Sequence, residues 1–164
     1  MIARIVNGLD RLTGCVIAVL RWLALPLVLL LFMQWPLREI VRGYSREAND
    51  LGQIIFALYV AVSVTAATRA GTHLAADALA QRYSARTRDL LKRIGALFGL
   101  VPWALFIIYA SRQTVWSSIV GLEALPDTNN PGYYIIKGSL WLMALVILAQ
   151  CIVDVVRPSC SGER

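Results

Sequence analysis

The chain has 164 residues, of which 58% are hydrophobic and 16% charged, with a formal net charge of +6 and a mean hydropathy of +0.62. Soluble domains average about 25% charged residues, so this balance excludes an ordinary water-soluble globule and leaves too little polar sequence for a soluble catalytic domain. The basic residues cluster between apolar runs, which marks topology-setting charge rather than a nucleic-acid-binding face.

Four apolar stretches follow in chain order, at about residues 12–35, 51–68, 94–111 and 133–156. Each approaches the roughly 20 residues that a helix needs to cross a hydrocarbon core about 30 Å thick. The chain therefore reads as an all-α membrane protein, one domain over residues 1–164 with four transmembrane helices. In the first stretch, Cys15 to Leu20 is followed by Arg21 and more apolar sequence, with no small-residue cleavage site, so this span is expected to stay as an anchor. Pro36 follows it, and Asn49-Asp50 offers an N-cap for the second. After the second span, Leu74, Ala78 and Leu79 share one helical face with Asp77, Gln81 and Arg82 away from it. Two readings stand there, a short helix lying on the interface or an ordinary polar loop. Ser84 is placed to cap a helix that runs on into the third span, where Gly95, Ala96 and Gly99 form a small-residue patch suited to close helix packing. Pro126 to Gly132 is a dense turn signal before the fourth span. Trp35, Trp116, Tyr133 and Tyr134 fall near the expected membrane borders, where amphipathic rings are favoured.

Lysine and arginine in the connectors set orientation. The segment from Arg69 to Arg93 carries Arg69, Arg82, Arg86, Arg88, Lys92 and Arg93 against Asp77 and Asp89, whereas the connector from Arg112 to Lys137 has bases only at its edges and the acids Glu123 and Asp127. The basic connector is expected in the cytoplasm, and an even number of spans then puts both termini there. The first connector, with Arg38, Arg42 and Arg46, argues the other way unless Glu39, Glu47 and Asp50 pair with them.

Chemistry-bearing residues are sparse. His73 is the single histidine, so this chain alone cannot build a bis-histidine haem site. The cysteines, Cys15, Cys151 and Cys160, form no CxxC pair and no metal-ligand spacing. There is no Ser-His-Asp set, P-loop or HExxH motif. No catalytic residue, cofactor or metal is expected, and the chain is not read as an enzyme. Arg21 lies about nine residues into the first span, which leaves three readings: it snorkels to the near face, the span starts later than residue 12, or it meets an acid on another chain. No span carries the series of acids and hydroxyls of a self-contained cation-coupled carrier, nor a pair of Gly/Pro-broken spans related by a repeat.

Arg69-Ala-Gly71-Thr-His73-Leu-Ala-Ala-Asp77 resembles the R-x-G-x-H-x-x-x-D signature after the second span in the small membrane (Q) subunits of tripartite ATP-independent periplasmic (TRAP) transporters. Glu47 stands where those proteins often have a glutamate leading into that span. Pro131 to Lys137 looks like the family's approach to span four, and Gln150 late in that span also fits. Ala75-Ala76 departs from the β-branched residues common before the aspartate, and Arg21 maps to no family feature.

The resemblance implies a multi-pass protein of the bacterial inner membrane that works with partners. A periplasmic binding protein captures the substrate, often an organic acid. A large membrane subunit moves it by a sodium-driven elevator motion, and the small subunit is similar to a static brace that widens the large subunit's scaffold. Glu47, Arg69, Gly71, His73, Asp77, Lys137 and Gln150 become the family-motif and partner-interface candidates, with membrane lipid around the helices and no nucleic acid. The alternatives are the small four-span subunit of a tripartite tricarboxylate transporter and a membrane anchor of a redox enzyme.

Overall fold

In a computed structural model, residues 2–40, 43, 45–70 and 84–156 are described, and these are helical apart from turns and one isolated bridge. Four helical stretches are long and apolar enough to cross a membrane: Arg4–Glu39, Arg46–Arg69, Arg93–Val120 and Tyr133–Val156.

The first is a rod in two pieces. Helix α1 (Ile2–Leu20) is amphipathic, with Val6, Leu9 and Thr13 turned inward and Arg4 and Arg11 exposed. A 3-10 turn at Arg21–Leu23 joins it to α2 (Ala24–Glu39). Pro26 explains the turn: it has no N–H, and its ring crowds the carbonyl four residues back, so the preceding backbone tightens. The rod starts earlier and ends later than the expected span, since the helix continues through Pro36 to Glu39 before Ile40 N–H bonds Pro36 O at 2.8 Å.

Helix α3 (Arg46–Ala70) begins upstream of the expected Asn49-Asp50 cap. Ser45 is the cap, its Oγ accepting the Ala48 N–H at 3.2 Å. Asn49 and Asp50 lie inside the helix and use their side chains elsewhere. Helix α4 (Ala85–Gly95) is capped by Ser84 as expected, with Thr87 N–H to Ser84 Oγ at 3.4 Å. It continues through a π-helical segment, Ala96–Leu100, into α5 (Val101–Val120). Pro102 stands just past that segment, and a wider turn relieves its clash with the preceding carbonyls. Of the small-residue patch, Ala96 is buried, while Gly95 and Gly99 face open space. Helix α6 (Tyr133–Val156) coincides with its expected span.

The third span departs most from expectation. It does not stop near Ser111; α5 runs on to Val120, so Arg112 and Gln113 are helical and the connector is only residues 121–132. The putting down of regular backbone ends at Gly121 and Leu122, the latter at φ 44°, where Glu123 N–H bonds Ser118 O at 3.0 Å.

Helix α6 is the hub. It packs against α5, α3 and α1, while α2 packs against α3; α5 and the α1–α2 rod have no substantial contact with each other. Ala96, Ala104, Ala144, Ile147 and Cys151 form the core, with Val64, Leu100 and Met143 against it. The fully buried Ala104 and Ala144 let the α5 and α6 backbones approach closely. A third of the most apolar window of α6 is buried (33%), against 6% for the first rod, so the rod is largely an outward-facing element.

Candidate functional site

The described polar groups concentrate at the two ends of the bundle. At the end where α3 finishes, Arg69 Nη2 meets Asp10 Oδ1 at 2.5 Å and Arg69 Nη1 donates to Asp10 O at 3.3 Å. The guanidinium lies over Gly14, where a Cβ would stand 3.4 Å from Nη1. Arg69 thus fastens the first rod to the end of α3. Asp10 was not among the sequence candidates; the available signal was that it is the single acid before Glu39. Gly71, His73 and Asp77, and with them the question of a short interfacial helix, lie outside the described residues.

Late in α6, Gln150 is buried, and its Nε2 donates to Asp154 Oδ1 at 2.8 Å, while its Oε1 is buried without a partner. Thr65 on α3 is also buried, with its hydroxyl unpartnered. These are single polar groups within an apolar seam, and the structure does not join Gln150 to Arg69.

At the opposite end, residues 121–132 are clasped onto α3 and α6. Asn49 Nδ2 donates to Asp127 Oδ2 at 3.0 Å, and Thr128 Oγ1 donates to the buried Asp50 Oδ2 at 2.6 Å. Leu125 N–H bonds Asn130 O, and Asn129 adopts φ 58°, a left-handed turn that asparagine tolerates. Buried Leu125 then folds over Gly132, where a Cβ would meet Leu125 Cδ1 at 2.9 Å and Ile54 Cδ1 at 3.3 Å.

Lys137, on the first turns of α6, reaches Glu123 Oε2 at 2.5 Å and sits 5.0 Å from the centre of the Tyr133 ring. Its ammonium holds the Glu123 carboxyl below the usual carboxylate range. Glu47 lies beside this end, in the first turn of α3, where the helix dipole favours an acid; Ser45 Oγ donates to its Oε2 at 3.2 Å. The structure brings Lys137 and Glu47 to one end and Arg69 to the other.

Among the described residues no group of three or more His, Cys, Asp or Glu is placed to hold a metal ion. Cys15 and Cys151 carry free thiols. The geometry is that of two fastened ends with apolar flanks between them, an arrangement suited to holding shape.

The family model for the DctQ component of tripartite ATP-independent periplasmic transporters matches residues 27–161. No curated protein and no solved structure matches the chain. The match covers most of the sequence, and the chain belongs to the DctQ family.

Proposed function

We propose that this DctQ-family chain is the static brace of its transporter. It holds the large membrane subunit's scaffold in place during sodium-coupled uptake of a small organic acid, which a periplasmic binding protein delivers. Family membership supports a place in such an assembly. The observation that carries the bracing role is the pair of open apolar flanks. Leu25, Val28, Leu29 and Phe32 are exposed on the rod, and Phe98, Leu105 and Phe106 are exposed on the α5 side. In lipid, apolar exposure alone costs nothing. A brace also needs fastened helices, and the Arg69–Asp10 and Lys137–Glu123 pairs supply the fastening at either end.

The proposed orientation puts both termini in the cytoplasm of a bacterial cell, with the clasped loop in the periplasm. Arg4, Arg11, Arg69 and Arg93 gather toward the terminal end, in keeping with the positive-inside bias. The Arg69, His73 and Asp77 motif is read as the contact with the large subunit at that end.

Co-expression with the large subunit and the binding protein tests the reading. The chain is expected to co-purify with the large subunit, and uptake is expected to require it. Transport by this chain alone in liposomes, or normal uptake after its deletion, overturns the reading.

A further inference from the structure

The extra length of α5 creates a feature that the bracing role does not use. The third span is 28 residues long, about 42 Å at ~1.5 Å per residue, which exceeds the ~30 Å hydrocarbon core by roughly 12 Å. With Arg93 at one border, the other border falls about 20 residues on, at Gln113. There α5 and α6 enclose an open groove lined by Arg112, Gln113, Trp116 and Trp141. Trp141 Nε1 donates to Ser111 Oγ at 3.1 Å, and Ser111 Oγ donates back to Ile107 O at 2.6 Å, so the two helices are tied one step below Arg112.

The guanidinium of Arg112 rests 4.9 Å from the centre of the Tyr109 ring. Neither the Arg112 nor the Gln113 side chain has a hydrogen bond or ion pair among the described residues, so their donors remain available in a groove whose walls are mostly apolar. We propose that this groove binds a glycerophospholipid from the leaflet on the clasped-loop side. Arg112 and Gln113 hold the phosphodiester, and Trp116 and Trp141 flank the glycerol and the upper acyl chain. A guanidinium presents paired donors that match two phosphate oxygens. Indole rings settle at the depth where headgroup gives way to chain. A dissolved anion would use the arginine but not the apolar walls, and a purely apolar occupant would leave the two polar side chains without a role. The inference needs only a membrane-spanning chain and stands apart from the transporter reading.

The test uses the full chain purified in a maltoside detergent. Thermal stability and bound-lipid number by native mass spectrometry are followed during titration with phosphatidylglycerol, with diacylglycerol of the same chains, and with inorganic phosphate. Phosphatidylglycerol is expected to stabilise the protein saturably, and the other two are not. Arg112 is exposed on the helix surface, so Arg112→Leu is expected to fold while weakening lipid binding by about tenfold, with Arg112→Lys intermediate because a single ammonium lacks the paired geometry. Equal lipid binding by Arg112→Leu overturns the proposal. So does stabilisation by diacylglycerol equal to that by the phospholipid, which would leave the phosphate without a role. An equal effect of inorganic phosphate would mean a plain anion site. Loss of co-purification with the large subunit at unchanged lipid binding would assign the groove to the protein partner.

Discussion

Arg69 and Asp10, 59 residues apart in sequence, are joined at 2.5 Å between the end of α3 and the middle of α1. Their side chains are 34% and 17% exposed, so water weakens the pair without dissolving it. A double-mutant cycle with Asp10→Asn and Arg69→Gln is expected to show a coupling of about 0.5–1 kcal/mol in detergent thermal unfolding. Additive single effects would mean that the two residues stabilise the chain independently.

The Lys137–Glu123 pair gives a pH dependence of known sign. Glu123 has a lowered pKa in the folded chain, so its contribution is fully present above the unfolded carboxylate range, near 4.5 and upward, and is lost as pH falls through the lowered value. Thermal stability is expected to be insensitive to this group from pH 7 down to about 5 and to fall below that. Glu123→Gln should remove that part of the acid limb, measured as the difference between the two melting profiles.

Gly132 is needed for close approach, not for an unusual backbone. Its missing Cβ is what lets Leu125 and Ile54 close over the start of α6. Gly132→Ala is expected to cost roughly 1–3 kcal/mol by overpacking. Leu125→Ala should cost less in the Gly132→Ala background than in the native chain, because it removes the atom that the new methyl group strikes, and this non-additivity is read in the same unfolding assay.

Arg21 stands exposed on the 3-10 turn between α1 and α2, and its guanidinium has no hydrogen bond or ion pair among the described residues. A cation within the hydrocarbon costs about 2.5–3.5 kcal/mol at a helix centre. Arg21→Leu is therefore expected to leave the isolated chain at least as stable as before, and to lower its yield in complex with the large subunit several-fold. Comparing melting of the subunit with recovery of the complex checks both halves; unchanged recovery would return Arg21 to simple snorkelling.

The four spans were legible because bilayer thickness imposes an apolar run that no soluble element needs. The fourth was read to its ends, since Asn129, Asn130, Pro131 and Gly132 break the backbone just ahead of Tyr133. The third was not. Hydropathy falls at Arg112, Gln113 and Thr114, but a helix stops where its hydrogen-bond ladder is capped, and that waits for Gly121. A similar ambiguity displaced the start of α3: Ser45 and Asn49 are both acceptable caps in a string of letters, and Asn49 was taken up by Asp127, 78 residues away. The Arg69–Asp10 bond left no local trace for the same reason, since a partner that distant has no fixed spacing. Of the candidate site, Lys137 and Arg69 were marked by resemblance, while the acids that meet them came only from the folded arrangement.

The jointed rod carries a mechanical consequence. From Arg4 to Glu39 it has 36 residues, roughly 54 Å of helix, nearly twice the depth of the oil it must cross. A stiff cylinder of that size would have to lean steeply or drag the surrounding lipid thicker, at a cost that grows with every ångström of disparity. The 3-10 turn at Arg21–Leu23 divides it into α1, packed on α6 and tied to α3 through Asp10 and Arg69, and α2, which packs chiefly against α3. A change in the tilt of α2 alone then meets sheets of different thickness while α1 and the packing around α6 stay as they are.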